Sequence, residues 1–464
     1  MASRRRCCHS ARRPGRRRAR CPRRPEPGAV WRDQEWAWVR AQLPADREAS
    51  ARASGALRRR RAVRSAAVLL RLVLADVLSG WPLRLVAAWA AVVGLGHLSD
   101  VALLDRLRGT RGWLGALVAG LVADGRTAAL GRPVRLRLVD ATTVSRPGST
   151  GTDWRVHLSL SLAPLAIDGL ELTDGHGAEA LGRHPAGPGD IQVADRGHAR
   201  RTDLGAALAR GGALVVRSGW QNLPLLDAAG RTLDLLAWRR PLAGPAERVV
   251  RVQTPDGPFA LRLVARPLAA EAAEAARRRL RRAASKKGRT LDQRSLAAAG
   301  YVVLVTNLAP DAWTTAEGLA LYRVRWQVEL VFKQLKGIRR LDRLRARGAE
   351  LAQVSLLGTL LAALLAERSI RPLPAVGGAW FDDVDRPLSL WRWQLLRHAA
   401  PRDAVLAPLA PAAVLPALPA LRRYLCDAPR RRAQQAAHVR RLLRDRCRDR
   451  PTPSVTARIA VVHA

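Results

Sequence analysis

Residues 321–337, LYRVRWQVELVFKQLKG, concentrate side chains that could act on a phosphate ester. A helix turns about 100° per residue, so five polar side chains of this segment would share an arc of about 80°. They are Tyr322, Arg325, Glu329, Lys333 and Lys336. The chain has 80 lysines and arginines, of which only four are lysine, and two of these four lie here. A lysine carries a compact charge on a flexible stem, so we interpret the pair as ligands of DNA phosphates.

A structural helix would explain the same spacing. Arg325, Glu329 and Lys333 stand four residues apart and could form ion pairs on a solvated face, and periodicity alone favours that interpretation. Two observations favour a site instead. Glu329 is the single acid on this face, and the scarce residue types gather around it.

Two upstream segments alternate apolar and polar residues and carry an aspartate on the apolar side. PVRLRLVD (133–140) places Asp140 in phase with three aliphatic residues, and DIQVADRG (190–197) places Asp195 in phase with two, Ile191 and Val193. Both segments are predicted to be strands that end in the aspartate. Further strands are predicted at 154–162, 169–174 and 213–219, with helical segments at 177–183 and 199–212.

This order of strands and helices is that of a ribonuclease H-like sheet, in which the first and fourth strands are neighbours. Asp140 and Asp195 would then lie side by side, and Glu329 could join them. Three carboxylates can hold two divalent cations about 3.5–4 Å apart for in-line attack on a phosphodiester. Mg²⁺ prefers such oxygen ligands, and Mn²⁺ could replace it.

The elements divide the chain into six predicted regions. We expect an α/β fold whose ribonuclease H-like catalytic core, with a β-rich insertion, is preceded by an all-α DNA-binding domain. The regions are a disordered basic arm (1–29), the helical DNA-binding domain (30–130), the first part of the core (131–220), the β-rich insertion (221–310), the core helix with the catalytic Glu329 (311–370) and a C-terminal helical or dimerisation region (371–464).

Charge indicates a polyanionic partner. The 464 residues carry a formal net charge of +42, which nucleic acid would compensate. The five cysteines stand near the two ends without the paired spacing of a zinc finger, so we expect a reducing cytoplasm and no structural zinc. The two longest apolar runs are shorter than a membrane span needs, so no membrane association is expected.

The spacing Tyr-x2-Arg-x3-Glu-x6-Lys, met by residues 322 to 336, resembles the Tyr-Arg-Glu-Lys signature of the insertion sequence four family of bacterial transposases. LVDATTVSRPGSTGTDWRVH and ADRGH resemble the first and second Asp regions of that family. The resemblance extends over about residues 45 to 395. His198 differs, since relatives often carry an aromatic residue there, and we expect this change not to affect metal binding.

The resemblance implies a DDE transposase that performs cut-and-paste transposition. Asp140, Asp195 and Glu329 would bind the metals, while Tyr322, Arg325 and Lys336 would hold the transposon end; Lys333 is added because it shares their face. Relatives nick DNA with a water molecule and form a hairpin before strand transfer. The implied partner is double-stranded DNA, which a homodimer would bind at paired transposon ends. The implied location is the cytoplasm, and the nucleoid when DNA is bound.

Other interpretations remain open at this stage. Asp174 and Glu179 are alternative metal ligands, whereas His176 is better explained as a polar loop residue. A transposase relic that binds DNA without cutting it would share the charge, and a ribonuclease H-like nuclease or resolvase would share the carboxylates. The predicted β-insertion and the Tyr-Arg-Glu-Lys helix favour a transposase over both.

Overall fold

A computed structural model describes residues 36–368 apart from 38, 59–61, 93, 128–132, 164 and 241–242, together with 385, 392 and 431–449. The predicted arm at 1–29 and most of the predicted C-terminal region therefore lie outside the described residues.

Helices come first in the chain, and local signals set their ends. The N-terminal helices are α1 (Arg47–Ala53), α2 (Ala66–Ser79), α3 (Leu83–Val92), α4 (Asp100–Arg108) and α5 (Arg111–Thr127). The Ser99 side chain accepts the Ala102 N–H at 3.1 Å and caps the N-terminus of α4. Gly80 ends α2 with φ of 68°, a conformation that glycine adopts without strain.

Eight strands form one sheet. They are β1 (Arg135–Val144), β2 (Trp154–Leu162), β3 (Leu165–Asp174), β4 (Asp190–Ala194), β5 (Ala213–Arg217), β6 (Ala246–Thr254), β7 (Gly257–Pro267) and β8 (Tyr301–Thr306). The order is β3-β2-β1-β4-β5-β8-β7-β6. β1, β4 and β5 are parallel, and their neighbours on both sides are antiparallel. The mixed sheet fits a ribonuclease H-like core, and the predicted adjacency of β1 and β4 is confirmed.

The predicted insertion extends this sheet. β6 and β7 form a hairpin whose turn contains the Pro-Asp-Gly sequence of residues 255–257, and β8 joins them to β5. The remaining helices are α6 (Arg201–Ala209), α7 (Leu235–Arg239), α8 (Ala270–Ser285), α9 (Gln293–Ala298), α10 (Thr315–Arg323), α11 (Trp326–Gly337), α12 (Ala349–Arg368) and α13 (Arg431–Asp449).

Three sequence expectations about these elements are wrong. The segment 177–183 has only a 3₁₀ turn at Leu181–Arg183 instead of a helix. β1 does not end at Asp140, because its pairing with β2 continues to Val144. The helix expected across 321–337 is two helices, α10 and α11, divided at residues 324–325.

Buried apolar side chains form two cores. One core joins the N-terminal helices, β1 to β3 and helices α10 to α12, with Trp113 and Leu321 fully buried. The other joins α6 and α7 to the insertion strands, with Leu214 and Val305 at its centre. Each helix is stabilised by the apolar area that it removes from water, so both cores hold the sheet that carries the aspartates.

The sheet also buries charge. Arg137 is only 2% exposed, although it is a polar residue of an alternating strand. Its Nε donates to Asp168 Oδ2 at 2.8 Å, which compensates its charge. A buried guanidinium needs such a partner, since removing it from water unpaired is costly.

Helix α12 is long and apolar enough to cross a membrane by length and composition alone. Most of its apolar window is buried, and it packs against α2 and α5. These contacts are those of a core helix.

Candidate active site

Asp140 lies within β1, just past the last residue pair that β1 forms with β4. Its Oδ1 accepts the Ala141 N–H at 2.8 Å, and its Oδ2 accepts Nη1 of Arg325 at 3.0 Å. Burial raises the pKa of the Asp140 carboxyl to about 6, and the nearby charge of Asp195 adds to the rise, against the opposing effects of Ala141 and Arg325. The two aspartates therefore lie close enough to interact, as predicted.

Asp195 follows β4 and caps a 3₁₀ turn, Arg196–His198. Its Oδ1 accepts the Gly197 N–H at 2.8 Å and lies 3.1 Å from Nδ1 of His198, a side chain that is 2% exposed. Burial opposes ionisation, but these two hydrogen bonds and the neighbouring charges leave the pKa of Asp195 below its ordinary value. The aspartate is thus held as a carboxylate in one orientation.

The contact of His198 with Asp195 was not anticipated, since the sequence comparison treated His198 as a neutral replacement for an aromatic residue. A buried ring nitrogen beside a carboxylate oxygen fixes that carboxylate, as donors around metal ligands commonly do.

A loop after β5 holds the same turn from outside. Asn222 donates from Nδ2 to the Arg196 carbonyl at 3.1 Å, and its Oδ1 accepts the Gly219 N–H at 2.7 Å. A Cβ on Gly219 would lie 2.4 Å from Asn222 Oδ1, so only glycine permits this approach. Sequence reasoning missed Asn222, because nothing in the pattern of a polar loop marks a residue that clamps a turn.

Arg325 stands at the break between α10 and α11 and joins the third carboxylate to the first. Besides Asp140, its guanidinium contacts Glu329 through Nη2 and Oε1. Arg325 is 16% exposed and Glu329 is 44% exposed, so the pair lies at the border of the solvent. The break keeps helical backbone angles at Val324 and Arg325. The side chains of Arg325 and Glu329 therefore still lie on the same side of the helix.

The other predicted DNA ligands surround this junction. Tyr322, at the end of α10, is half-buried and lies three residues before Arg325. Lys333 is exposed and Lys336 is half-buried on α11, and neither forms an ion pair with a described residue. Two flexible cations are therefore available to an anion beside the carboxylates.

A further acid lies on the Asp195 side. Ligand atoms of Glu179, Asp195 and His198 lie within 4.8 Å of one another. Among the described residues, Asp140, Asp195 and Glu329 do not form so compact a group, since the Arg325 guanidinium stands between two of them. The alternative ligand Glu179 is therefore a neighbour of the site, and Arg155 lies 3.7 Å from it.

The other alternative ligand, Asp174, has a local role. Its Oδ1 accepts the N–H groups of His176 and Gly177 at 3.0 and 3.1 Å, which closes the turn after β3. His176 is exposed in that turn, as expected of a polar loop residue.

Comparison with known proteins gives a consistent result. The family profile of the transposase DDE domain matches residues 173–365. InsL, named as a transposase of insertion sequence element IS186A in Escherichia coli (strain K12), is 39% identical over 349 residues, covering 73% of this chain and 94% of the relative. The transposase for element IS421 of Escherichia coli is 39% identical over 350 residues, with the same coverage. The transposase for element IS231F of Bacillus thuringiensis subsp. israelensis is 39% identical over 92 residues, 19% of either chain.

Proposed function

The chain belongs to the DDE transposases of bacterial insertion sequences, and from this premise we propose that Asp140, Asp195 and Glu329 are its catalytic carboxylates. Enzymes of this family cleave DNA, transfer the cut strand and depend on a divalent metal. The observation that carries the assignment is the Arg325 guanidinium, which contacts Asp140 across 185 residues of sequence and Glu329 on its own helix. This cation lies between two of the three proposed carboxylates, and the third, Asp195, follows the strand that pairs with the strand of Asp140, which supports their assignment to one site.

The oxygen donors fit hard divalent cations. Asp140 and Asp195 each accept a backbone N–H through Oδ1, so each carboxylate is oriented and keeps its Oδ2 for a cation. For Asp140 this oxygen already meets the positive charge of Arg325. Two Mg²⁺ ions, or Mn²⁺ in their place, would be held by the three carboxylates and would supply Lewis-acid chemistry for attack on a phosphodiester.

The cations of α10 and α11 would hold the DNA. Lys333 and Lys336 reach a phosphate as flexible point charges, and Arg325 can offer a planar pair of donors. Tyr322 supports Arg325 and can donate its hydroxyl to the same strand. Together they would keep the scissile phosphate beside the carboxylates, which is the positioning that phosphoryl transfer most needs.

We place this enzyme in the insertion sequence four family, with cut-and-paste transposition of its element. A freed 3′-hydroxyl would attack the opposite strand to give a hairpin, which is opened before joining to target DNA. We assign sequence reading to the N-terminal helices of region 30–130, and we expect a cytoplasmic homodimer that binds double-stranded DNA at paired transposon ends and no membrane. The Tyr-Arg-Glu-Lys spacing and the +42 charge support this assignment.

A labelled duplex that carries the element's end tests the proposal. With Mg²⁺ or Mn²⁺, the purified protein should nick the duplex at the element boundary. It should then yield a hairpin that joins the two strands at the element's end. A duplex with a scrambled end is the matched control and should stay intact. Cleavage that continues in a chelator, or at positions unrelated to the boundary, would contradict the proposal.

A further inference from the structure

The arginine-rich helix α8 leaves the sheet at the edge that carries the candidate active site. β8 is antiparallel to β5 and β7 is antiparallel to β8, so Pro267 and Tyr301 lie at the edge where β4 and β5 end. Asp195 follows β4 at that edge. Three strand spacings of about 4.8 Å separate β4 from β7, a distance of about 14 Å.

A chain of contacts links this helix pair, α8 and α9, to the turn of Asp195. Trp220 lies in the loop whose Asn222 clamps that turn, and its Nε1 donates to Ser295 Oγ at 3.4 Å. The Arg294 guanidinium lies 4.9 Å from the centre of the Trp220 ring. Nε of Arg277 on α8 donates to the carbonyl of Leu296 at 3.4 Å, which ties α8 to α9.

The two sides of α8 differ in how their charges are compensated. Ala273 is buried on one side of the helix, and Arg277 and the exposed Arg281 pair with Glu274 at 3.5 and 3.0 Å. The outer side and the turn that follows it expose six cations that form no ion pair with any described carboxylate. They are Arg278, Arg279, Arg282, Lys286, Lys287 and Arg289. The nearest uncompensated acid on α8, Glu271, precedes Arg278 by seven residues, about 10 Å along the helix axis.

We propose that this cationic surface of α8, the six side chains above, binds backbone phosphates of the duplex that is being cut; the inference rests on the proposed function. Duplex DNA carries one negative charge per about 1.7 Å of its axis, so the edge between β4 and β7 corresponds to about four base pairs. Arg278, Arg282 and Lys286 recur every four residues and are about 6 Å apart along one side of the helix.

The lysines support the same partner. Lys286 and Lys287 are the two lysines that the Tyr-Arg-Glu-Lys segment does not contain. One lysine pair therefore lies beside the carboxylates, and the other lies at the C-terminal end of α8, the helix that starts at the same edge. A row of flexible and planar cations without base-reading geometry fits phosphates and gives affinity without sequence preference.

Two double variants test the surface, Arg278→Gln/Arg282→Gln and Lys286→Gln/Lys287→Gln, in the full-length protein. Glutamine preserves helix propensity, and circular dichroism would verify that the fold is kept. The affinity for the end-bearing duplex is measured between about 50 and 300 mM salt, because each lost phosphate contact lowers the slope of log affinity against log salt by about 0.9. We expect each variant to lose about one to two units of slope relative to the wild-type protein.

The matched control removes two exposed arginines away from α8, Arg210→Gln/Arg251→Gln. It should keep the wild-type slope. Wild-type slopes in both α8 variants, or an equal loss in the control, would overturn the inference while leaving the proposed function intact. Failure of the wild-type protein to cut the end would instead overturn the proposed function.

Discussion

At the scale of single residues, the two aspartates share one arrangement. Each is oriented through Oδ1 by a backbone N–H, and Asp195 gains a second partner in the buried ring of His198. Orientation of this kind lowers the entropy that a metal ligand loses on binding, so the ring would act on a bound metal through Asp195 in the proposed site.

His198→Phe keeps a buried ring and removes this hydrogen bond. We expect the affinity for Mn²⁺ in the absence of DNA to fall about tenfold, as for other residues that orient metal ligands. Calorimetric titration of the protein with Mn²⁺ measures it. The control His198→Gln retains a donor and should lose less, while duplex affinity should be unchanged in both. Wild-type Mn²⁺ affinity in His198→Phe would contradict a positioning role.

His184 gives a dependence of stability on pH. Burial, with the nearby charge of Arg137, lowers the pKa of its imidazole to about 3. Above about pH 6.5 the ring is neutral in both states and has no effect. As pH falls below that value the unfolded chain takes up a proton that the folded chain excludes, so the free energy of unfolding drops by about 1 kcal/mol per pH unit.

Urea unfolding between pH 6.5 and 4 should therefore show a shallower loss of stability in His184→Gln than in wild type. His97→Gln, which alters an exposed histidine, is the matched control. An equal dependence of the free energy of unfolding on pH in wild type and His184→Gln would contradict the lowered pKa of the buried His184.

The sequence was most informative about side chains that follow regular elements. Asp140 and Asp195 could be predicted to be neighbours because strand alternation and the order of elements determine their edge. Glu179 and Asn222 could not, since both lie in loops whose paths depend on tertiary contacts such as the clamp on Gly219.

At the scale of elements, the segment after α11 is fastened to the N-terminal helices. Arg345 donates from Nη2 to the side chain and the carbonyl of Asp76 on α2, both at 3.0 Å. Asp76 is 7% exposed at its side chain, and burial raises its pKa even though Arg345 lowers it. The segment that follows the helix of Glu329 is thus tied to α2.

Arg345→Ala should destabilise the protein by about 3 kcal/mol, because a buried carboxylate loses its partner. The double variant with Asp76→Asn should recover part of this loss. The deficit should also shrink as pH falls, since a raised pKa lets Asp76 become neutral. Chemical unfolding at two pH values measures both effects, and Arg343→Ala, at an exposed site, is the control. A deficit in Arg345→Ala no larger than in Arg343→Ala would contradict the role of this ion pair.

Element boundaries were predictable where alternation and turn residues coincide. The hairpin of β6 and β7 lies within the predicted β-rich insertion, and its Pro-Asp-Gly sequence is typical of such a turn. The break between α10 and α11 was not predictable, since its residues keep helical backbone angles and contain neither proline nor glycine.

At the scale of the whole molecule, the N-terminal helices pack at the β3 side of the sheet and the insertion strands form its other side. The candidate catalytic residues lie between them. On a net charge of +42 we expect DNA to bind tightly at low salt and to hold two chains together at paired ends. Light scattering on the chromatographed complex should give two chains and two duplexes. A cleavage-competent complex of one chain and one duplex would contradict the homodimer.

The most direct test of the central claim is cleavage of the labelled end duplex in Mg²⁺ by wild type, Glu329→Ala and the control Glu350→Ala, whose residue is exposed on α12. We predict cleavage at the boundary by wild type and control, and a loss of at least roughly a thousandfold in Glu329→Ala with duplex affinity retained, because the metal site loses a ligand. Equal cleavage by Glu329→Ala and wild type would remove Glu329 from the site and contradict the three-carboxylate account.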